Sequence, residues 1–530
     1  MTKEKIILII VLLTAFLLRI YNHTYPPLLW DEAALGYNAY SILQTGRDEY
    51  GQFLPLVFKS FGDYKPGLYV YLTVPFVAIF GLTPLAVRLP SIILGSLLPL
   101  IAYLFIKKHH SGKILPLLFA ALIAFNPYNI HYSRQAWETG VLTFELLLAS
   151  YFFFGKKYFW SSIIFALTLY TYQSGKLISL LLILTLLLVN YTKDYFKKDF
   201  ILKFILPLFV FSLPILYGLL FGHQGNRLEV VSLFSYPRST EEQNLIVSEG
   251  GQLDYQLFHQ QTVFFIRNFL TRYFNYFSPK FLLTDADWRN PGNSAPYTGV
   301  LLIPSILFLT IGVFRTLIIK PKNKTDKYFL YWLFLAPLPS ALTQDLIYAT
   351  RAMSFSIPLC YFIAVGIETS VKKYQNALLK TLIIILYLIS LIYYLDLYHN
   401  HMLKHKPEDW SYGVEQAVDY INKFGENRSI YFTPFYSQPY IYYLFYNKYS
   451  PQRYHSQANL ITRGQDVGYI KTIDNIIFET PSFSFLQLQS RHVLAIFSYD
   501  DAIRQGIDLS LLTPLSPINN ISTFYGYKNP

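Results

Sequence analysis

Runs of about twenty apolar residues recur through the first four hundred positions of this chain. An α-helix of about 20 apolar residues is what crosses a bilayer, so the runs point to a protein that passes the membrane many times. The candidate spans are 6–20, 88–106, 114–130, 140–154, 158–172, 177–191, 201–221, 298–319, 328–342, 352–368 and 379–397. Several are short for a crossing and call for tilt or local thinning of the bilayer. Composition agrees: 53% of the 530 residues are apolar and 14% charged, where a soluble domain carries about a quarter charged. The net charge of +12 does not mark a nucleic-acid partner, because most lysine clusters sit in short loops between spans, where they set topology. Cys360, the single cysteine, lies in an apolar run, which excludes an intramolecular disulfide and a cysteine-based metal site. The N-terminal run is read as an uncleaved first span. No small-residue cleavage site follows it; Arg19-Ile20-Tyr21-Asn22-His23 does.

Charge decides the status of one further run, 67–82. If it lies along the interface, Lys3/Lys5, Lys107/Lys108/Lys113, Lys156/Lys157, Lys193/Lys197/Lys198, Lys320/Lys322/Lys324/Lys327 and Lys372/Lys373 all fall on the cytoplasmic side. If it spans, every cluster after it moves outside, against the positive-inside rule. The interfacial reading follows, with Tyr69 and Tyr71 near the headgroups, the N-terminus cytoplasmic and the C-terminus extracytoplasmic. The expected fold is an all-α polytopic membrane domain of about eleven transmembrane helices plus interfacial helices, over 1–398. A small extracytoplasmic α/β domain, 399–530, follows. It holds an amphipathic helix at 408–424 and β-prone runs at 429–433, 475–479 and 493–498. Two external loops interrupt the first domain, 21–87 and 222–297.

This topology puts Asp31, Glu32, Asp63, Lys65, Arg88, Arg134, Glu138, Lys176, Asp345 and Arg351 on one external face. Charges set between apolar segments are costly unless they face a polar cavity, so function is their default reading. For Lys176 and Asp345, ordinary loop charge is an equal reading. In the second loop, the stretch 256–277 is aromatic and amphipathic, and Asp285 and Asp287 read as solvated turn residues ahead of a cap, a cation ligand or a sugar contact. His399, His401 and His405 read as exposed linker residues rather than metal ligands.

A carboxylate that takes a proton from a hydroxyl and cations that receive a phosphate leaving group are what sugar transfer from a lipid phosphate requires. A single displacement needs one base, not two flanking carboxylates. Asp31 suits the base. Its plain alternative is an N-cap on a helix from Glu32, with Glu32 favouring the positive helix end. Glu32 is the second acid expected at the catalytic position, contacting the acceptor or helping to hold a cation. Lys65 stands before Pro66 at a helix start, a poor place for an ammonium unless an anion is near. Arg88 can fork on to a phosphate or snorkel. Arg134 and Glu138 are four apart, so a helix salt bridge is open to them as well as a place in the site.

The order Asp31-Glu32 after the first span, then Lys65-Pro66, then Val87-Arg88-Leu89-Pro90-Ser91, then Asn126-Pro127, Ser133-Arg134 and Glu138, resembles the GT-C superfamily of membrane glycosyltransferases. Within it, the pattern is similar to the protein O-mannosyltransferases and the bacterial lipid A aminoarabinose transferases. The resemblance covers the N-terminal half, and the later spans in layout only. It implies a polyprenyl-phosphate sugar donor, an acceptor protein, glycan or glycolipid, an extracytoplasmic site in the cell membrane, and inversion. By position it makes Asp31 the catalytic aspartate, with Lys65, Arg88 and Arg134 at the donor phosphate or organising the loop. Asp63, Tyr64, Glu138, Gln173, Lys176 and Arg351 are expected on the substrate side. The chain departs from some relatives in having Tyr64 directly before Lys65 and Glu138 where an aspartate stands. These departures leave a divalent metal open, and no other cofactor is implied. The tryptophan-rich signature of oligosaccharyltransferases is absent. The rival class is a transporter or flippase for a lipid-linked sugar. Such proteins tend to show symmetric halves and mid-membrane charges, whereas here the charges gather at one rim.

Overall fold

The computed structural model describes residues 2–110, 112–221, 226–318, 323–436, 438–462, 468–489, 492–519 and 521–529. Lys320, Lys322 and the opening of the second loop at 222–225 lie outside the described residues. The chain is mostly helical. In order, the helices that matter here are α1 (Lys3–Ile20), α2 (Trp30–Thr45), α3 (Leu68–Phe80), α4 (Pro84–His109), α5 (Ile114–Phe125), α6 (Pro127–Arg134), α7 (Glu138–Phe154), α8 (Tyr158–Leu167) and α9 (Gly175–Val189). They continue with α10 (Lys198–Phe221), α11 (Thr240–Asp254), α12 (Gln261–Asn275), α13 (Ser305–Ile318), α14 (Lys324–Leu335), α15 (Ala349–Tyr374), α16 (Ala377–His405), α17 (Val414–Phe424), α18 (Pro439–Tyr446) and α19 (Pro451–His455).

Among the described residues four helices, α4, α10, α15 and α16, are long and apolar enough to cross a membrane, and α5 with α6 makes a fifth if the bent pair counts as one. The other expected spans form shorter helices. The bend between α5 and α6 is 53°, where the sequence predicts one continuous span. Pro127 has no N–H to give and forces Asn126 out of the helical region. Asn126 is extended (φ −68°, ψ 130°), and its side chain accepts the Asn129 N–H at 3.1 Å, capping the new helix. Helix α3 has 13 residues. At about 1.5 Å per residue it reaches roughly 20 Å, short of the ~30 Å hydrocarbon layer.

The chain divides into two compact units. The first comprises Met1–Leu18, Leu94–Tyr132 and Glu138–Leu395. At its centre α13 crosses α15 through a pair of glycines. A Cβ on Gly312 would stand 1.9 Å from the Phe362 carbonyl oxygen, and one on Gly366 would stand 1.9 Å from that of Phe308. Only the absence of side chains lets the two backbones come this close. In the second loop, α12 shows an exposed stripe of Ile266, Leu270 and Phe274, four residues apart and so on one face. Its other face turns Arg272 inward to donate to the Gln344 carbonyl at 2.8 Å. Asp287, expected as a solvated turn residue, is buried at 1% exposure. It accepts from Asn290, Asn293 and the Ala349 N–H, the last at 2.8 Å. Its carboxylate is a structural knot, supplied with the partners that a buried charge requires.

The second unit comprises Arg19–Ile93, Ser133–Trp137 and Asp396–Pro530. The chain's last 130 or so residues therefore pack with the first loop. A six-stranded mixed sheet forms from β3 (Ser429–Phe432), β4 (Thr472–Ile473), β5 (Ile476–Ile477), β6 (Val493–Ser498), β7 (Thr513–Pro514) and β8 (Phe524–Lys528), in the order β4-β5-β3-β6-β8-β7. Strands β3 and β6 are parallel, β6 and β8 antiparallel. Every residue of β6 is buried, as suits an inner strand covered on both faces. The expected strands lie where their β-prone runs predict. The amphipathic helix starts later than expected, at Val414, because Ser411 (φ 47°) and Gly413 (φ 91°) break the helical path.

Candidate active site

Helix α2 begins at Trp30, with Leu29 extended ahead of it (φ −79°, ψ 158°). Asp31 is therefore inside the first turn and does not cap the helix, as the sequence allowed it to. Glu32 takes that task, accepting the Leu29 N–H at 3.1 Å. Neighbouring side chains on a helix diverge, and these two part company. Asp31 stays 41% exposed, whereas Glu32 is buried.

Glu32 and Arg88 form the knot on which the loop is tied. Arg88 Nε donates to Glu32 Oε1 at 2.8 Å and Nη2 to Oε2 at 2.6 Å, a two-pronged pair with the arginine wholly buried. Nη1 reaches the carbonyls of His23 (2.7 Å) and Pro26 (2.9 Å), and Nη2 also reaches that of Pro27 (3.1 Å). All five N–H donors of the guanidinium are thereby used. Glu32 Oε1 accepts in addition from the Ala136 N–H at 2.7 Å, so four donors surround its carboxylate. The glutamate expected beside the acceptor or a cation has no oxygen left for either. The arginine expected at a phosphate, or snorkelling, ties 23–27 to α2 instead, and Glu32 links the pair to 133–137. Arg134, at the end of α6, does similar work. It is buried, its Nη2 points at the Tyr21 (2.6 Å) and Asn22 (3.1 Å) carbonyls, and its guanidinium lies 5.1 Å from the Tyr398 ring. His399, expected in an exposed linker, packs edge-on against Tyr21 at 5.5 Å.

A hairpin brings the cation to Asp31. Strands β1 (Val57–Ser60) and β2 (Asp63–Pro66) pair antiparallel, with Phe58 opposite Lys65 and Ser60 opposite Asp63. Phe61 (φ 53°) and Gly62 (φ 94°) form the two-residue turn, the left-handed type that matches strand twist. Alternation along β2 puts Asp63 and Lys65 on one face and Tyr64 on the other. The Lys65 ammonium forms an ion pair with the Asp31 carboxylate and sits 5.4 Å from the Phe61 ring. Thus an acid and a base 34 residues apart in the chain meet at a partly exposed position.

The remaining expected residues fall in the first unit. Glu138 starts α7 while Arg134 ends α6, so the helix breaks between them and a spacing of four no longer sets them on one face. Lys176 donates to Gln173 Oε1 at 2.6 Å. Arg351 pairs with Asp345, donates to Thr343 Oγ1 at 2.8 Å and stacks 4.1 Å from the Tyr348 ring.

Sequence reasoning passed over Asp48 and Glu49, although both stand in the same charged stretch. Asp48 accepts the N–H groups of Tyr50 (3.0 Å) and Gln52 (2.8 Å), closing the turn. Its carbonyl meets His455 Nε2 at 2.7 Å. Glu49 is fully buried. Asn38 Nδ2 donates to its carboxyl at 3.1 Å, and the Glu49 N–H returns to Asn38 Oδ1 at 3.0 Å. Burial pushes the Glu49 carboxyl up to about 8, with Asp48 adding to the rise and Asn38, Lys65 and Tyr440 opposing it. The folded state thus holds a proton that the unfolded chain releases near 4.5. The stability this contributes is complete below that pH and is lost as pH rises through about 8. Glu49→Gln, which imitates the protonated carboxyl, is expected to leave the melting temperature unchanged at pH 5 and to raise it above that of the parent at pH 9. Thermal melts at the two pH values check this.

Among the described residues no three His, Cys, Asp or Glu side chains converge as a metal site. Glu32 is committed to its four donors, and Asp31 to Lys65. This pair of acids therefore does not form a ready chelate.

Comparison with known proteins bears on this geometry. Residues 9–221 match the family model of the dolichyl-phosphate-mannose-protein mannosyltransferases. ArnT from Cupriavidus metallidurans, solved bound to undecaprenyl phosphate, superposes with a TM-score of 0.52 at 10% identity, over 99% of this chain and 98% of that one. The chain has the GT-C fold. The oligosaccharyltransferase AglB from Archaeoglobus fulgidus, solved with an inhibitory peptide and a dolichol-phosphate, gives a TM-score of 0.47 at 14% identity, over 84% of this chain and 63% of that one. The search of curated proteins finds no match. Within this GT-C chain, the mannosyltransferase-like region runs from α1 to the end of α10. It takes in Asp31, Lys65, Arg88 and Arg134 and leaves Arg351 outside.

Proposed function

We propose that this protein transfers a sugar from a polyprenyl-phosphate-linked donor to an acceptor hydroxyl at the extracytoplasmic face of the membrane, by a single inverting displacement. The observation that carries the reading is the contact between Asp31 and Lys65. It sets a partly exposed carboxylate and an ammonium side by side in the mannosyltransferase-like region of a GT-C fold. The solved relative ArnT holds undecaprenyl phosphate, a donor's lipid carrier without its sugar.

In the proposed reaction Asp31 takes the acceptor's hydroxyl proton as its oxygen attacks the anomeric carbon. The bond from that carbon to the phosphate oxygen breaks, and its electron pair goes to the phosphate. Lys65 meets the charge that develops there. Arg88, Glu32 and Arg134 are positioning residues that hold the loop. Asp63, Tyr64, Glu138, Gln173, Lys176 and Arg351 are the proposed substrate contacts. The membrane domain is assigned to 1–398 and the extracytoplasmic domain to 399–530, with the N-terminus cytoplasmic.

The direct test is to offer the purified protein a panel of radiolabelled polyprenyl-phosphate sugars and measure which is consumed. Consumption of none, with movement of one across reconstituted vesicles, would favour a flippase. Lys65→Ala is expected to weaken donor binding. A hydrogen bond to a charged group is worth about 1.5–3 kcal/mol, so the Kd should rise roughly 10- to 150-fold, read by titration with the labelled donor. An unchanged Kd removes Lys65 from the phosphate.

A further inference from the structure

A cavity of about 360 Å³ lies inside the first unit, walled by α1, α5, α13, α15 and α16. It is in the size range of ligand pockets, and none of the residues discussed for transfer lines it. Its wall is almost wholly apolar, with Phe125, Ile363, Ile367, Leu388 and Leu391 prominent. Of the polar residues at its edge, Ser305, Tyr387 and Asn126 are engaged. Ser305 Oγ and the Tyr387 hydroxyl share a hydrogen bond of 3.1 Å. Asn126 donates to the Val300 carbonyl at 2.9 Å and accepts from the Asn129 N–H. Thr14 and Cys360 complete the polar lining, too little to recognise a polar headgroup, so the occupant is apolar.

Depth narrows the choice. Along α16 the lining runs from Ile383 to Leu391, about 12 Å at 1.5 Å per residue. It stops short of both ends of the Ala377–Asp396 helical stretch. A headgroup does not sit at mid-span, so only a hydrocarbon chain reaches the cavity. The two long walls differ sharply in burial. The most apolar window of α16 is 11% buried, whereas that of α15 is 94% buried. One wall thus stands against the surrounding medium and the other belongs to the interior. A void of this size left open would forfeit the dispersion contacts of its lining. Acyl chains are the medium around α16, and mass action favours the ligand in greatest excess.

We propose that the cavity holds one acyl chain of a membrane phospholipid, inserted beside α16 with its headgroup beyond the helix end. The inference does not depend on the transferase reading. To test it, the full chain is reconstituted in phosphatidylcholine vesicles containing a phosphatidylcholine with a diazirine midway along one acyl chain. After photolysis the labelled peptides are mapped. Adducts are expected on α15 between Cys360 and Ile367, a buried stretch that lines the cavity at Cys360, Ile363 and Ile367, as well as on α16. Adducts confined to α16 overturn the proposal. Ile384 lines the cavity but is 59% exposed, so Ile384→Trp should fold and obstruct entry. The expected result is loss of the α15 adducts while those on the outer face of α16, at Ile389 and Ile392, remain. Persistence of the α15 adducts in this variant overturns the proposal. Unlabelled polyprenyl phosphate at the same mole fraction as the probe is expected to leave the pattern unchanged. Displacement would assign the cavity to an isoprenoid tail and overturn the phospholipid assignment.

Discussion

Asp31→Asn is expected to abolish sugar transfer while the donor still binds. The substitution keeps the size of the side chain and leaves an amide oxygen for the Lys65 ammonium that Asp31 now meets. What it removes is the capacity to take a proton. General-base assistance contributes about 10²–10⁴-fold, and a hydroxyl without it is a weak nucleophile. Turnover should therefore fall by at least roughly 100-fold. The donor Kd should stay constant or tighten, since Lys65 loses a competing anion. Product formation and titration with labelled donor, measured on the same preparation, separate the two effects. An Asn variant whose turnover stays within about tenfold of the parent's would refute the base assignment. A variant that loses turnover and binding together would make Asp31 a binding residue. The result also discriminates between the two acids, because Glu32 is enclosed by four donors and is in no position to replace its neighbour.

Much of this arrangement was legible in the residues. Charges flanked by apolar runs marked Asp31 and Lys65 as partners in one region. The short β-prone runs mark three strands of the six-stranded C-terminal sheet, and leave out β4, β7 and β8. What stayed hidden depends on contacts remote in sequence. Tyr37 donates to the Tyr449 carbonyl across 412 residues, and α2 has Gly36 where a Cβ would strike Val87 and Phe445. No periodicity or spacing within either segment records that α18 lies against α2, so the packing of the C-terminal region with the first loop does not show in the sequence. Glu49 was missed for a related reason. Its burial is created by Asn38, Tyr440 and the rest of that packing, and an acid in a polar loop carries no sign of it. Asp287 was misread because turn-rich sequence is usually solvated, whereas here Asn290, Asn293 and Ala349 supply its hydrogen bonds. The division of labour between Arg88 and Lys65 was equally beyond the sequence. Both are cations beside apolar runs in the sequence, and only the contacts tell the wholly buried Arg88, paired with Glu32, from the partly exposed Lys65, paired with Asp31.

That count yields the largest expected effect on stability. Arg88→Ala leaves the Glu32 carboxylate buried with its charge unpaired and withdraws donors from the carbonyls of His23, Pro26 and Pro27. Removing one partner of a buried ion pair costs about 3–5 kcal/mol, a large part of the roughly 5–15 kcal/mol that holds a domain together. A steep fall in melting temperature is expected, with proteolysis advancing first in the 19–30 segment. Arg88→Lys should rescue little of it, since an ammonium is a point charge and cannot replace a planar fork that reaches four groups at once. The double variant Arg88→Met with Glu32→Gln removes both charges together and should be more stable than Arg88→Ala, because no unpaired ion remains in the interior. If Arg88→Ala melts like the parent, the knot does not hold the loop. If it melts low but the double variant melts no higher, the lost hydrogen bonds to the 23–27 carbonyls, and not the stranded charge, account for the damage.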